Sequence, residues 1–239
     1  ALYYSEDNTP SSAIASDLDG DGDMDVLHGQ EGDGNGNGNI YWQKNDGSKN
    51  FTSIEIPSSR RASYIYSIDL DLDGDIDILT ASHQDGVFWY ENDGSENFTQ
   101  FTINNYGDGT NSVTAEDVDG DGDLDVLSAS YGGDRISWYE NDGSENFNQH
   151  DITTNLVGPN SIAAVDLDED GDIDILSASY GVEAYIASNA TTDSHKITFF
   201  ENNGNEIFTP DTIYTSVERP KDIIPFDVDG DGDLDILSL

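Results

Sequence analysis

Cysteine is absent from the sequence, which removes disulfides, thiolate nucleophiles and zinc–sulfur centres together. Basic residues are nearly as scarce: eight Lys and Arg stand against 50 Asp and Glu, for a formal charge of −42 over 239 residues. Such a chain repels phosphate, so nucleic-acid binding by phosphate neutralisation and attachment to an anionic membrane surface are both excluded. No apolar run approaches the ~20 residues that a membrane-spanning helix requires, and no segment carries a convincing 3.6-residue apolar period. No signal-peptide pattern follows Ala1, although a secreted chain after processing reads the same way. What remains still has 35% hydrophobic and 10% aromatic residues, enough for a packed core and too much for a disordered acidic tail.

The acids are concentrated. Five nine-residue segments hold 26 of the 50, and each reads Asp-x-Asp-x-Asp-Gly-Asp-x-Asp followed by Val-Leu or Ile-Leu. Their aspartates are Asp17, Asp19, Asp21, Asp23 and Asp25; Asp69, Asp71, Asp73, Asp75 and Asp77; Asp117, Asp119, Asp121, Asp123 and Asp125; Asp166, Asp168, Asp170, Asp172 and Asp174; and Asp227, Asp229, Asp231, Asp233 and Asp235. The starts are 52, 48, 49 and 61 residues apart, a period that marks an array of supersecondary units. A second motif keeps the same phase: YWQKNDGSKNF from Tyr41, WYENDGSENF from Trp89 and again from Trp138, and FFENNGNEIF from Phe199.

Between the motifs the pattern is β. In the third unit, Ser112 to Glu116 is small and β-branched, Leu124 to Ser130 alternates, Ile136 to Glu140 is β-branched and aromatic, and Phe147 to Thr153 alternates again. Asn141-Asp142-Gly143-Ser144 signals a hairpin turn between the last two. Four short strands in each unit, repeated, predict an all-β chain of four-stranded antiparallel β-propeller blades. Small residues such as Ala13, Ala15, Thr114, Ala115, Ala163 and Ala164 suit an innermost strand A. Trp42, Trp89, Trp138 and Phe199 share one place in strand C, while Tyr41, Phe88, Tyr139 and Phe200 face the other way. A strand apolar on both faces is buried on both, so the aromatic stripe reads as core and not as a sugar-stacking platform.

Five like charges within nine residues repel unless a cation sits among them. Oxygens at alternate positions of a short loop suit a hard divalent ion, and calcium accepts several of them in flexible geometry. Positions 1, 3, 5 and 9 are expected to supply side chains and position 7 its backbone carbonyl, with the position 6 glycine allowing the sharp turn. All 25 aspartates are thus candidate metal residues, one calcium to each of five loops. An EF-hand is excluded, because position 12 is His28, Thr80, Ser128, Ser177 or Ser238, inside a predicted strand where that motif needs Glu and a helix.

An Asp-x-Asp-x-Asp-Gly-Asp-x-Asp loop in the strand A–B hairpin of every unit resembles the FG-GAP and VCBS repeat family, whose members are similar to the calcium-binding blades of integrin alpha-subunit propellers. The resemblance covers nearly the whole chain. It implies a propeller with one calcium ion in each loop, on the face opposite the usual ligand face. Leu72 stands where a turn-favouring residue is expected, Glu169 adds an acid, and Pro225 is expected to interrupt the fifth inner strand. The literal Phe-Gly and Gly-Ala-Pro signatures are missing, so the VCBS-like description is the closer one.

The repeat units run over approximately residues 9–56, 57–104, 105–155, 156–215 and 216–239, four full blades and part of a fifth. The chain is read as a single propeller domain or a fragment of one. The fragment is favoured over a five-bladed ring closed by Leu2 to Glu6, because the fifth unit lacks its third strand. The B–C and D–A loops of such blades share one face and are the variable parts. Six of the eight basic residues (Arg60, Arg61, Arg135, Lys196, Arg219 and Lys221) and the histidines His28, His83 and His195 are expected there. The ligand candidates are His83, Gln84, Tyr131, Arg135 and Tyr180, with Arg60 and Arg61 nearby. Their amide, aromatic and guanidinium groups suit sugar hydroxyls, ring faces and carboxylates. No catalytic constellation is found, since the acid pairs are accounted for by the loops. The expected function is a secreted or cell-surface calcium-binding module that recognises carbohydrate or protein. The alternatives are a polysaccharide lyase or hydrolase on the same scaffold, or a purely structural repeat.

Overall fold

The computed structural model describes residues 10–30, 38–58, 61–180, 195–214 and 220–239. Every regular element among them is a strand. The first sheet is a meander of β1 (Pro10–Ser16), β2 (Asp25–Gln30), β3 (Ile40–Asn45) and β4 (Phe51–Ile56). The second repeats it with β5 (Tyr64–Ile68), β6 (Asp77–Ser82), β7 (Gly86–Asn92) and β8 (Phe98–Asn104). The third contains β9 (Thr110–Glu116), β10 (Asp125–Ser130), β11 (Arg135–Asn141) and β12 (Phe147–Thr153), and the fourth β13 (Pro159–Val165), β14 (Asp174–Ser179), β15 (Lys196–Asn202) and β16 (Phe208–Tyr214). A two-stranded hairpin, β17 (Ile223–Phe226) and β18 (Asp235–Ser238), follows. The expected blades are present, in strand order A-B-C-D, and the four third-unit strands lie within two residues of their predicted ends.

The chain forms two compact units, residues 1–113 and 114–239. In the first, one apolar core joins successive blades: Leu27, Ile40 and Trp42 from one sheet meet Ile65, Ile78, Phe88 and Tyr90 from the next. In the second, Leu127, Ile136 and Trp138 meet Ile162, Ile175 and Phe200, and a further cluster sets Leu176, Ala178 and Ile197 against Ile223 of the hairpin. Register explains the pairing, for Leu27 lies opposite Trp42, Leu79 opposite Trp89, Leu127 opposite Trp138 and Leu176 opposite Phe199. The three tryptophans are buried as the core reading expects, while Phe199 is half-buried. The second strand of the third unit was expected to alternate; instead every residue of β10 is buried, as in β6 and β14, polar serines included, which is the pattern of a strand covered on both faces.

Two expectations are corrected here. Pro225 does not interrupt β17, where it lies opposite Ile236. Among the described residues this strand has a neighbour on one side only, and an edge strand is where proline is tolerated. His28 is not a loop residue: it sits within β2, opposite Tyr41, with the two rings stacked at 5.2 Å. In the hairpin, Ile224, Phe226, Val228 and Leu237 are exposed, since no third strand among the described residues covers β18.

Candidate metal centre

Each acidic segment forms the loop between strands A and B, and its hydrogen bonds recur from loop to loop. The position 6 N–H donates to Oδ2 of position 1: Gly22 to Asp17, Gly74 to Asp69, Gly122 to Asp117, Gly171 to Asp166 and Gly232 to Asp227, at 3.0–3.2 Å. The position 7 N–H donates to Oδ1 of position 5 at 2.9–3.0 Å in all five. These bonds curl the chain so that carboxylates converge. The groups whose oxygens lie within 4.8 Å of one another are Asp17, Asp19 and Asp21; Asp69, Asp71 and Asp77; Asp117, Asp119 and Asp121; Asp166, Asp168 and Asp174; and Asp227, Asp229 and Asp235. Positions 1 and 3 therefore contribute in every loop, joined by position 5 in the first and third loops and by position 9 in the others.

Donor chemistry fits a cation. Oδ1 of Asp17 and of Asp69 is buried without a hydrogen-bond partner, an arrangement a carboxylate oxygen tolerates when something positive approaches it. Position 4 is left-handed throughout, with φ of 68° at Gly20, 60° at Leu72, 75° at Gly120, 61° at Glu169 and 78° at Gly230. Leu72 and Glu169 thus hold a conformation that costs a side-chain-bearing residue roughly 1 kcal/mol.

Position 9 has a second task that the spacing did not disclose. Asp25, Asp77, Asp125 and Asp174 are fully buried, and their Oδ2 accepts the position 2 N–H from Leu18, Leu70, Val118 and Leu167 at 3.1–3.3 Å. Their Oδ1 accepts the N–H of the asparagine that ends strand C: Asn45, Asn92, Asn141 and Asn202, at 2.7–2.8 Å. The same asparagines donate Nδ2 to the position 8 carbonyls of Met24, Ile76, Leu124 and Ile173 at 3.1–3.2 Å. In the first blade Trp42 Nε1 also donates to Asp25 Oδ2 at 2.7 Å. Burial pushes Asp77 up to about 7 and Asp125 up to about 6, against the pull of the strand C N–H and of the Trp89 and Trp138 indoles. Asp174 is raised for the same first reason.

Position 7 is different again. Asp23, Asp75, Asp123 and Asp172 belong to none of the converging groups. Their carboxylates lie against Gly47, Gly94, Gly143 and Gly204 of the C–D turn, so close that a Cβ there would stand 2.3–2.5 Å from Oδ2. Only glycine fits, both for that approach and for φ near 70°. Asp233 has no C–D turn among the described residues to meet.

One loop carries an internal cation. Lys44 Nζ lies 2.5 Å from Asp19 Oδ2 and 2.5 Å from Glu96 Oε1, and 5.3 Å from the centre of the Trp42 ring. It borders a cleft of about 370 Å³ lined also by Asp21, Asp75, Asn92 and Ser95.

At the other end of the blades, Tyr131 and Tyr180 meet at 6.4 Å between ring centres, and His195 approaches Tyr180 at 6.1 Å. His195 was counted among the loop histidines but not among the ligand candidates. Arg135 pairs instead with Asp151 at 3.5 Å. His83 and Gln84 are exposed; His83 Nδ1 lies 3.0 Å from Asn111 Oδ1. Arg61 is half-buried, and Arg60 lies outside the described residues.

A family profile described as FG-GAP-like repeat matches residues 17–80, 69–128, 117–177 and 184–238. No curated protein matches the chain. A solved structure titled as the basis of specific recognition of non-reducing terminal N-acetylglucosamine by an Agrocybe aegerita lectin is similar at TM-score 0.63 and 18% identity, over 98% of this chain and 61% of that one. BBS1N in complex with ARL6DN, soaked with lead, is similar at TM-score 0.58 and 10% identity, over 97% and 58%. The chain thus spans about three fifths of the length of these structures, and at such identities the likeness is one of fold.

Two outcomes are expected. Leu72→Gly should raise stability by about 0.5–1 kcal/mol, as relief of the left-handed strain exceeds the added freedom of the unfolded chain; a loss in denaturant unfolding contradicts it. The second concerns pH without divalent metal. A carboxyl with a raised folded pKa favours folding when protonated, so the contribution of Asp77 and Asp125 is fully present below about pH 4 and is lost progressively as pH rises to about 6 to 7. Melting temperature in chelator should therefore fall between about pH 4 and 7 and level off above it. Below that window Asp46 and Asp93, whose pKa values are lowered chiefly by Asn50 and Asn97, act in the opposite sense. Flat melting across the window would show that the buried carboxylates do not titrate there.

Proposed function

Because the chain belongs to the FG-GAP-like repeat family, we propose that it is a calcium-binding β-propeller module that recognises carbohydrate outside the cell. The observation that carries the recognition reading is the Tyr131, Tyr180 and His195 cluster, drawn from the B–C loops of adjacent blades. Half-exposed rings so gathered offer apolar faces with polar tips, the combination that stacks on a sugar and hydrogen-bonds its hydroxyls. The lectin of similar fold, which recognises non-reducing terminal N-acetylglucosamine, supports carbohydrate ahead of protein as the ligand.

Calcium is the metal that the loops suit best. In each, the position 1, 3 and 5 carboxylates, the position 7 carbonyl and the position 9 carboxylate would hold the ion, which supplies charge compensation and rigidity, not chemistry. Position 9 would serve the ion while keeping its bonds to strands A and C. Five ions would bring the formal charge from −42 to −32. Millimolar extracellular calcium fills modest sites of this kind, which supports a secreted or surface location.

A glycan array containing terminal N-acetylglucosamine, run with calcium and with chelator, tests the reading. Tyr180→Ala should weaken glycan binding roughly tenfold or more through lost ring stacking, while calcium-dependent melting stays unchanged. Failure to bind any glycan in calcium would remove the recognition reading. Equal melting in calcium and chelator would remove the metal.

A further inference from the structure

The five loops are not equivalent, and the difference lies in strand C. The residue just before the asparagine anchor is Glu91, Glu140 and Glu201 in three repeats, but Lys44 in the first. That place lies beside the loop of its own blade: Lys44 Nζ is 2.5 Å from Asp19 Oδ2. The other oxygen of Asp19 already accepts the Asp21 N–H, at 3.4 Å. Both oxygens of a position 3 carboxylate are therefore engaged. The Asp19 side chain is only 8% exposed, while that of Lys44 is 29% exposed. Glu96 of the next blade and the face of Trp42 hold the ammonium from two further sides.

We infer that Lys44 is a built-in rival for the cation of the first loop, so that this loop fills after those of the next three blades. The inference rests on the calcium reading above and adds to it a graded response. An ion entering beside Asp17 and Asp21 must displace the ammonium from Asp19 or accept a ligand whose charge is already neutralised. Either way its binding is weakened relative to loops whose strand C residue is a glutamate. Two units of charge separate Lys from Glu at this place, within contact distance of a coordinating carboxylate, where charge effects are least screened. The cleft beside Lys44 gives the side chain room to withdraw when calcium is high. The first blade then stiffens over a higher calcium range than its neighbours do, which makes it the sensor of the array.

The test uses the whole protein labelled with 15N-glycine and titrated with calcium from a metal-free start. The position 6 amides of Gly22, Gly74, Gly122 and Gly171 each donate to the position 1 carboxylate of their own loop, so each resonance reports one site. Gly22 should shift at a calcium concentration roughly tenfold or more above the midpoint for the other three. Lys44→Glu should bring its midpoint to theirs, and Lys44→Met should lie between. Lys196→Glu makes the same charge change at the B–C end of β15, the end of a blade away from the acidic loops, and should leave the Gly22 midpoint within about twofold, since charges beyond a screening length are damped. Gly22 moving together with the others in the natural protein, or a midpoint unmoved by both Lys44 variants, overturns the inference while leaving calcium binding intact. If none of the glycines responds to calcium, the calcium reading itself fails and the inference with it.

Discussion

A buried carboxylate at the ninth position of the first four acidic loops is the constraint on which the rest of this structure depends. It takes one N–H from the beginning of the loop and another from the end of strand C, and so fastens three parts of a blade at a single point. A carboxylate removed from water is costly unless its oxygens are fully engaged. Here the engagement is to backbone donors, which are present whatever the side chains are, so the arrangement can be repeated from blade to blade. It also explains why the two motifs keep phase along the sequence. An acidic loop and the Asn-Asp-Gly or Asn-Asn-Gly turn that follows it are two ends of one hydrogen-bonded unit, and neither can shift without the other.

The same constraint creates the electrostatic problem of the fold. Burial raises the proton affinity of Asp77 and Asp125, and the charges of Asp71 and Asp119 add to it. The protein answers with directed N–H groups, with indole N–H from strand C, and in one loop with a lysine. Convergent oxygens left without a protein donor, such as Oδ1 of Asp17 and Asp69, mark where the internal donors run out. An ion there would complete what the backbone begins.

Much of this was legible in the sequence, because repeats average away local ambiguity. A single Leu-Ser-Ala-Ser segment says little, but the same place reads Leu-Thr-Ala-Ser, Leu-Ser-Ala-Ser and Leu-Ser-Ala-Ser in three units, each after Asp-Val or Asp-Ile. The carboxylate positions were legible for the same reason. The asparagines Asn45, Asn92, Asn141 and Asn202 were in view within the quoted motif, yet their part was not, since an Asn before Asp-Gly is equally well explained as a turn residue. The position 7 side chain was missed similarly: its carbonyl was assigned to a metal, while its carboxylate was given no partner. The invariant glycine of the C–D turn was the available signal, being invariant for a close approach as well as for its backbone angle.

Composition and spacing alone determined that this chain is all-β, built of repeated four-stranded units, and furnished with five carboxylate loops. Those properties depend on period and on residue type, which are local. Tertiary structure decided which carboxylates face one another, which are spent holding strand C, and which meet a glycine of the turn. It alone set Lys44 on Asp19, and it alone gathered Tyr131, Tyr180 and His195 from separate loops. The physical reason is distance along the chain. Lys44 lies 25 residues from Asp19, and Tyr131 lies 49 from Tyr180; only the hairpin register and the packing of one blade on the next bring such pairs together.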